Sequence, residues 1–284
     1  MSEHARKAVV TAGTGGIGLE TAAGLAARGW DVTVVGRDAE RGATATARLE
    51  EAAGRAAGRF LRADLSSLSD TRALADRLAS EGPLHMLVNN VGGMWTRRWE
   101  NADGIEASVV LNHLSPYVLT EALLDTLKAG APSRIVNVTS SAMMAAVPEF
   151  EEVEPPGPYY GLAATGRAKL AHLAHTMDLA KRLDGQGVQV VAVDPGPAAT
   201  PNAAQMTIDI LPPQMRPLWD QIQEWVTRPV AEAAAAVLAA GTGPYHGTDV
   251  VIGPSGAPDD NLLQYLTEDV AAAVRRWTPM LLGD

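Results

Sequence analysis

The sequence predicts an α/β protein in which one doubly wound parallel β-sheet of about seven strands carries helices on both faces. Short runs of β-branched residues alternate repeatedly with longer segments rich in alanine and leucine over the 284 residues, and such alternation is typical of a parallel sheet. Most strand runs are almost continuously apolar, as strands buried on both faces should be. No linker rich in Gly, Ser or Pro divides the chain, so residues 1–284 are predicted to form a single domain.

The predicted elements follow one another along the chain, the strands as apolar β-branched runs and the helices as the Ala/Leu-rich segments between them. The strands are Lys7–Thr11, Asp31–Val35, Arg59–Ala63, Leu84–Asn89, Arg134–Thr139 and Val188–Val193, with a weaker seventh at Asp249–Ile252. The helices are Ile17–Arg28, Asp38–Ala53, Leu68–Ser80, Asn101–Leu127 and Tyr160–Leu183.

A proline-rich stretch, Pro195–Arg228, breaks this alternation after the sixth strand. In an open α/β sheet, ligands bind beyond the carboxyl ends of the strands, and this stretch follows the sixth strand at that edge. It is therefore predicted to be a lid that covers the substrate. The alternative is an irregular surface excursion without substrate contact.

The composition limits the classes of function. Hydrophobic residues make up 46% of the chain and charged residues 20%, which indicates a globular protein rather than a disordered one. The net charge of −10 leaves no overall basic field to attract nucleic acid or anionic lipid. The densest negative run, Glu149–Glu154, is predicted to be a solvated surface. Because the chain has no cysteine, disulfides, thiolate metal sites and cysteine nucleophiles are excluded, and no metal site is predicted.

Neither a signal peptide nor a membrane span is predicted. The first ten residues lack the long apolar core of a signal peptide. The longest uniform apolar stretch, Ala233–Ala240, is far shorter than the ~20 residues that span a bilayer. The expectation is a soluble cytoplasmic protein with a small-molecule substrate. The sequence is compatible with a homo-oligomer but does not set the number of subunits.

A glycine-rich loop joins the first strand to the first helix, within the run Thr11–Gly18. Glycines here allow a tight turn and let the backbone approach a pyrophosphate at the helix N-terminus. The position of the loop predicts a Rossmann-type dinucleotide site, with a merely tight turn as the alternative. The residues predicted to contact the cofactor in this loop are Gly13, Thr14, Gly15, Gly16, Ile17 and Gly18.

From this loop onward the sequence resembles the short-chain dehydrogenase/reductase family, whose motifs follow in order over nearly the full length. The family's nucleotide pattern of Thr-Gly, three residues, Gly, one residue, Gly is matched at Thr11, Gly16 and Gly18. Ala12 stands where the family has its first glycine, so a slightly altered turn with retained binding is expected. The resemblance implies a Rossmann fold and a nicotinamide dinucleotide cofactor.

The end of the second strand favours NADP(H) over NAD(H). Family members that prefer NAD carry an acidic residue near this point, where the present sequence has Gly36 followed by Arg37. An arginine here can pair with a 2′-phosphate, whereas Asp38 is predicted to be the N-cap of the next helix. Further cofactor contacts that the resemblance implies are Asp64, Leu65, Asn90, Val91, Gly92, Lys169, Pro195, Gly196, Ala198 and Thr200.

The resemblance also implies the catalytic residues. Ser140 follows the fifth strand where the family's catalytic serine hydrogen-bonds the substrate carbonyl, and Ser141 is the second choice. Asn112 resembles the helix asparagine that holds a proton-relay water, with a satisfied core amide as the alternative. Lys169 matches the lysine of the family's signature of Tyr, three residues, Lys, and is expected to hold the nicotinamide ribose.

The tyrosine of that signature is absent, because Thr165 stands four residues before Lys169. Thr165 follows Ser140 by 25 residues, a spacing that resembles the retinol-dehydrogenase-like branch of the family. A phenol has a pKa of about 10, which a nearby lysine cation can lower toward neutrality, whereas an aliphatic hydroxyl ionises only in far more alkaline conditions. Thr165 is therefore expected to position substrate or water without taking over the tyrosine's role.

Three routes remain for the missing proton. Tyr160 or Tyr159 could swing in from the start of the helix, if they lie in the loop before it. A relay water between Thr165, Lys169 and Asn112 could deliver the proton instead. The third route needs no protein acid, as in hydride delivery to an activated double bond.

Together these residues favour an NADP(H)-dependent oxidoreductase that reduces or oxidises a small to medium apolar carbonyl, alcohol or activated alkene. Ser140 would polarise the substrate oxygen, and Lys169 would supply positive charge. The absent tyrosine keeps two alternatives open, since function depends on the site and not on the fold. One is a non-redox enzyme on the same scaffold, such as a cyclase, isomerase or dehydratase. The other is a non-catalytic protein that binds NADP or a partner.

Overall fold

Seven parallel strands form one sheet in the order β3-β2-β1-β4-β5-β6-β7 in the computed structural model, which describes residues 6–154, 157–245 and 250–283. The predicted fold class is confirmed. The strand order changes direction between β1 and β4, and ligands bind at such a point, outside the carboxyl ends of the strands. The strands are β1 (Lys7–Val10), β2 (Asp31–Gly36), β3 (Gly58–Arg62), β4 (Met86–Asn89), β5 (Ser133–Val138), β6 (Val188–Val193) and β7 (Val251–Ile252).

Helices cover both faces of the sheet. One apolar core lies between the sheet and helices α1, α2 and α9, and a second lies between the sheet and α3, α5, α6 and α7. A third cluster packs α10 against α7 and the segment before α5. The helices are α1 (Gly16–Ala26), α2 (Ala39–Ala53), α3 (Leu68–Ser80), α4 (Ala107–Val109), α5 (Ser115–Ala122), α6 (Leu124–Ala129), α7 (Gly161–Arg182), α8 (Trp219–Trp225), α9 (Val230–Thr242) and α10 (Glu268–Leu282).

Most predicted elements are confirmed with ends that move by at most two residues. The predicted helix start at Asn101 is wrong, because the Asn101 carboxamide accepts the backbone N–H groups of Asp103 and Ile105, both at 3.0 Å, and closes a loop. The helix begins at Ala107, after the Glu106 N-cap. It then passes through a π-helical turn at 110–114 and breaks before α6.

Two further differences concern the C-terminal part of the chain. The predicted seventh strand is confirmed only at Val251–Ile252, and its first predicted residue, Asp249, lies outside the described residues. Helices α9 and α10 are additional to the predicted elements; the Thr267 hydroxyl caps α10 by accepting the Val270 N–H at 3.2 Å. Within residues 6–154, 157–245 and 250–283, no helix has the length and apolarity needed to cross a membrane.

The segment 195–228 is irregular apart from three short 3-10 turns and α8. Its two ends are joined, because the Arg228 carbonyl accepts the Ala199 N–H at 2.9 Å. The Arg228 guanidinium donates to the Pro254 carbonyl at 3.1 Å. Ile210 and Leu211 are fully buried and anchor the middle of the segment, which therefore keeps a defined position at the carboxyl end of β6.

Candidate active site

The glycine-rich loop between β1 and α1 leaves no room for side chains at two positions. A Cβ on Gly13 would lie 2.8 Å from the Val10 carbonyl, and a Cβ on Gly18 would lie 2.4 Å from the Ala12 carbonyl. Ala12 has a φ of 49°, in the left-handed region that favours glycine. The loop therefore keeps the tight course of a glycine turn, although alanine stands at one of its strained positions.

The loop is fastened to the end of β4. The Thr11 hydroxyl accepts the backbone N–H groups of Asn90 at 2.9 Å and Val91 at 3.0 Å. In return, the Asn90 carboxamide donates to the Thr11 carbonyl at 3.0 Å. These contacts bring two of the predicted cofactor segments together at the point where the strand order reverses.

Arginine side chains gather beside this loop at the ends of β2 and β3. The Arg37 guanidinium is largely exposed and lies 4.0 Å from the Asp64 carboxylate, while Arg62 donates to the Arg37 carbonyl at 3.0 Å. Arg41 reaches the loop itself, with a terminal nitrogen 2.4 Å from where a Cβ on Gly15 would lie. Sequence reasoning missed Arg41; the available signal was a basic residue in the first turn after an N-cap. That N-cap is confirmed, since the Asp38 carboxylate accepts two helix N–H groups.

Gly36 excludes an acidic side chain at the end of β2. A Cβ at this position would meet the Thr14 side chain at 2.8 Å. This end of β2 therefore carries no side chain, and the exposed Arg37 guanidinium follows it. The Asp64 carboxylate, at the end of β3, accepts the Ser66 N–H at 3.0 Å and the Ser66 hydroxyl at 2.7 Å. The Ser66 N–H and hydroxyl thereby hold the Asp64 carboxylate just beyond the end of β3.

Lys169 lies buried under the loop that follows β4. Its Nζ donates to the Val138 carbonyl at 2.6 Å and lies 3.3 Å from the Cβ position of Gly92. Burial lowers the pKa of Lys169 to about 8, and the negative charge of Asp194 opposes this shift. The Lys169 ammonium therefore loses its proton much more readily than an exposed lysine does.

Asp194 is a further charged group of the site, and sequence reasoning assigned it no role. It directly follows β6, and its carboxylate accepts the N–H groups of Ser141 at 3.0 Å and Gly196 at 2.9 Å. Burial raises the pKa of Asp194. The signal was an acidic residue between a buried strand and a Pro-Gly pair. Through these contacts Asp194 joins the serine segment to the start of segment 195–228.

Ser140 stands just beyond β5. Its hydroxyl oxygen accepts the Ala142 N–H at 3.1 Å and caps the 3-10 turn Ser141–Ala145, which leaves the hydroxyl proton available for donation. Helix α7 packs closely on this turn, since a Cβ on Gly166 would lie 2.3 Å from the Ala142 carbonyl. The end of β5 and the helix that carries Lys169 are thereby brought together.

Asn112 and Thr165 both bind Gly93. Asn112 is fully buried in the π-helical turn, where its amide donates to the carbonyls of Gly93 and Ser108, both at 3.0 Å, and accepts the Gly93 N–H at 3.2 Å. The Thr165 hydroxyl donates to the same Gly93 carbonyl at 3.2 Å. Both side chains thus hold a loop. The Asn112 contacts match the satisfied amide that sequence reasoning kept as its alternative.

The two tyrosines before α7 differ in their surroundings. Tyr160 is the N-cap residue of the helix and is half-buried. The Tyr159 phenol donates to the buried Glu106 carboxylate at 3.3 Å. Burial and the neighbouring Glu106 charge raise the pKa of Tyr159, which makes it a weaker acid than a free phenol. The Tyr159 phenol is thus bound to Glu106, whereas Tyr160 stands five residues before Thr165 at the start of α7.

Segment 195–228 starts opposite the glycine loop. The Thr200 methyl group lies 3.5 Å from the Cβ position of Gly16. The Asn202 carboxamide accepts the Met94 N–H at 3.3 Å and donates to the Met94 carbonyl at 3.5 Å. The remaining predicted cofactor contacts lie at these ends of the sheet: Leu65, Val91, Pro195 and Ala198 are buried, while Gly92 is exposed and Ile17 and Gly196 are half-buried.

Comparison with known families and proteins gives consistent results. The model of the family described as short chain dehydrogenase matches residues 6–210. Retinol dehydrogenase 12 of Mus musculus is 39% identical over 189 residues, which cover 66% of this chain and 60% of the relative. Retinol dehydrogenase 13 of Homo sapiens is 37% identical over 197 residues, which cover 68% of this chain and 59% of the relative. The match thus spans about 60% of the length of these relatives.

Solved structures with bound NADP or NADPH share the fold. The Pseudomonas aeruginosa RhlG/NADP active-site complex is 30% identical with a TM-score of 0.68, covering 90% of this chain and 96% of that one. A short-chain dehydrogenase from Sphingobium yanoikuyae in complex with NADPH is 25% identical with a TM-score of 0.69, covering 98% of this chain and 96% of that one. Both likenesses extend over nearly the whole of each chain.

Proposed function

Because this chain belongs to the short-chain dehydrogenase family, we propose that it is an NADP(H)-dependent oxidoreductase whose active site works without the family's tyrosine. Its substrate would be a small to medium apolar carbonyl, alcohol or activated alkene. The observation that carries the proposal is the buried Lys169, which lies beside Gly92 at the same sheet edge as the glycine loop and Ser140. A cytoplasmic location stays a prediction, which cell fractionation tests.

The residues at this edge fit a dinucleotide. The glycine loop offers bare backbone for a pyrophosphate, Gly36 leaves no acidic group against a 2′-phosphate, and Arg37 supplies an exposed positive charge. When bound, the nicotinamide would supply or accept the hydride. Ser140 would donate its hydroxyl proton to the substrate oxygen, as an oxyanion-hole donor does. Lys169 would hold the ribose, and segment 195–228 would cover the substrate.

The cofactor proposal makes a first prediction. Arg37→Asp should lower the ratio of NADPH to NADH affinity at least tenfold, because charge-assisted hydrogen bonds contribute roughly 1.5–3 kcal/mol. The two affinities are measured by titrating the protein with each reduced cofactor and following the cofactor's fluorescence. Arg48→Asp is the matched control, since Arg48 is an exposed arginine of α2 that pairs with Glu51 at 3.6 Å. Equal affinities of the unmodified protein for NADPH and NADH would contradict NADP preference.

The reaction proposal makes a second prediction. Ser140→Ala should lower kcat for a reduced carbonyl substrate by about 10²–10³-fold, the cost of removing one oxyanion donor. Thr165→Ala should cost less, because the Thr165 hydroxyl already donates to Gly93. Consumption of NADPH with a panel of apolar aldehydes and ketones measures turnover. Equal losses in the two variants would contradict the role of Ser140.

The commitment of Thr165 to Gly93 also favours a second candidate. A non-redox enzyme on this scaffold, such as a cyclase, isomerase or dehydratase, would retain the nucleotide as a structural group and need no phenol. The two candidates differ in one measurement. A substrate that is converted while neither NADPH is oxidised nor NADP⁺ is reduced identifies the non-redox enzyme.

A further inference from the structure

Three side chains from three separate elements hold the short loop Gly93–Trp95, which we name the clamped loop. Asn112 binds Gly93 in both directions from the π-helical turn. Thr165 donates to the Gly93 carbonyl from α7, and Asn202 binds Met94 in both directions from segment 195–228. A loop with this many side-chain partners is fixed in position rather than free to adapt to a ligand.

The clamped loop crosses the face of α7 that carries Thr165. Gly161 and Thr165 are one turn apart on the same face of this helix, and a Cβ on Gly161 would lie only 2.1 Å from the Trp95 carbonyl. The Thr165 side chain is 95% buried beneath this crossing, being 5% exposed. The Thr165 hydroxyl lies against the loop backbone, since it donates to the Gly93 carbonyl at 3.2 Å. The loop therefore approaches α7 closely along a face that carries small residues at positions 161 and 165.

Trp95 is the large side chain that this arrangement presents. Its ring lies 2.9 Å from the Cβ position of Gly93, and it meets Trp99 edge to face with 5.6 Å between ring centroids. Trp95 is half-buried, so part of this residue remains exposed to solvent. A rigid indole loses little conformational entropy on contact with a ligand and prefers flat apolar groups.

We propose that Trp95 is the specificity-determining wall of the substrate site and that Thr165 is the positioning residue that sets this wall through Gly93. The wall would select substrates with a flat, conjugated or aromatic group next to the reacting carbon over flexible aliphatic ones. The inference rests on the proposed function, in that Ser140 and Lys169 mark the reacting end. It gives Thr165 a role that no acid–base step requires.

The positioning role is tested first, without any substrate. Thr165→Val keeps the shape of the side chain and removes the donor, whereas Thr165→Ser keeps the donor. Hydrogen exchange of the peptide that covers residues 93–98 should accelerate about five- to tenfold in Thr165→Val, as the loss of one net hydrogen bond predicts. Exchange in Thr165→Ser should stay within about twofold of the unmodified protein. Equal exchange in both variants would overturn the positioning role.

The wall is tested by ligand affinity. Cinnamaldehyde and hexanal are titrated against the complex with NADP⁺, in which an aldehyde binds without being reduced. Trp95→Ala should lower the affinity for cinnamaldehyde about tenfold or more, because a flat ring contact is lost. It should change the affinity for hexanal less than about threefold. Trp30→Ala is the matched control and should change neither, because Trp30 is a half-buried tryptophan that directly precedes β2, at the edge of the sheet opposite the site. Thr165→Val should weaken the binding of cinnamaldehyde, as Trp95→Ala does. Thr165→Ser should keep the affinity of the unmodified protein.

The two proposals fail in different ways. If the unmodified protein binds cinnamaldehyde in a Trp95-dependent manner yet never consumes NADPH, the redox proposal fails and the wall stands. If hexanal binds as tightly as cinnamaldehyde, or if Trp95→Ala weakens both aldehydes equally, the wall is overturned whatever the turnover.

Discussion

Lowering the pH from about 7 to about 5 is expected to destabilise the fold by several kcal/mol, because three histidines are buried in their neutral form. His113, His172 and His175 are 0%, 1% and 7% exposed. Burial lowers the pKa of His113 to about 3 and of His175 to about 4. The pKa of His172 falls well below its ordinary value of 6.5, first through burial and then through the nearby Lys169 charge.

The sign follows from proton uptake. In the unfolded chain these histidines bind protons as the pH falls below about 6.5. In the folded protein His113 and His175 stay neutral until the pH approaches about 3 and about 4, and the pKa of His172 is likewise lowered by burial. Since the unfolded state binds more protons in that window, stability is full above pH 6.5 and declines as the pH falls toward 4. His113 and His175 each contribute about 2 kcal/mol of the loss at pH 5, and His172 adds to it in the same direction.

Neighbouring groups change the size of this effect. The Glu121 carboxylate, 3.9 Å from the His175 Nε2, favours the protonated form of that ring, while the positive charge of Arg167 opposes protonation of His113. Glu106 and Asp194 act in the opposite sense, because burial raises their pKa values and the folded state then takes up protons earlier than the unfolded one.

A single variant isolates the histidine contribution. His172→Met should reduce the loss of unfolding free energy between pH 7 and pH 5, since methionine does not titrate and the pKa of His172 lies well below its ordinary value. His85→Gln, at a half-buried histidine near the start of β4, should change it far less. Urea unfolding at the two pH values measures both. Equal stability of the unmodified protein at pH 5 and pH 7 would contradict the claim that the buried histidines stay neutral in the folded protein.

Much of the fold follows from local sequence pattern. Strands such as β6 are buried on both faces and therefore read as continuous apolar runs, and α3 has its predicted bounds because the Ser67 hydroxyl caps it locally by accepting the Asp70 N–H. The start of α4 could not be located in this way. Asn101 is a preferred N-cap residue and glutamate is not, yet it is the buried Glu106 whose carboxylate caps the helix by accepting the N–H groups of Ser108 and Val109.

The site was predictable as a set of motifs and not as a set of contacts. Parallel strands bring their carboxyl ends to one edge, so Ser140, Asn90 and Thr200 had to lie near one another. The partner of Thr165 is Gly93, which is 72 residues away in sequence, and no local pattern states how a loop after one strand crosses a distant helix. Arg41 was missed for the same reason, because its contact with Gly15 exists only in the folded chain.

The last helix supports the region before α7, although it lies beyond the family match of residues 6–210. Trp277 in α10 is 1% exposed; its ring lies 4.5 Å from the Arg167 guanidinium carbon and 5.1 Å from the Phe150 ring. Its indole N–H donates to the Glu152 carbonyl at 3.0 Å. The prediction that 149–154 is a solvated surface is thus only partly correct. Most of its side chains are exposed, but Phe150 is buried and several backbone carbonyls accept hydrogen bonds from Arg167 and Trp277.

Arg167 connects this anchor to the catalytic helix. Its guanidinium donates to the carbonyls of Glu149, Glu152 and Val153, each at 2.8 Å, and burial lowers the pKa of Arg167 to about 10. Arg167 lies two residues before Lys169 on α7. We therefore expect that removal of the Trp277 ring would both release the loop 149–154 and disturb α7 near Lys169. Trp277 therefore stabilises both the fold and the approach to the site.

Trp277→Ala is expected to lower the free energy of unfolding by about 3–5 kcal/mol, as for other buried aromatic residues truncated to alanine. Trp277→Phe keeps a ring for Arg167 to lie over and loses only the N–H donor, so it should cost about 1–3 kcal/mol. Urea unfolding measures both losses, and limited proteolysis should cut within residues 149–154 first in Trp277→Ala. If that variant keeps its stability while its loop is cleaved, α10 restrains the loop without supporting the core. If neither stability nor cleavage changes, the inference that Trp277 and Arg167 hold this loop is wrong, and the loop before α7 is held by its own contacts alone.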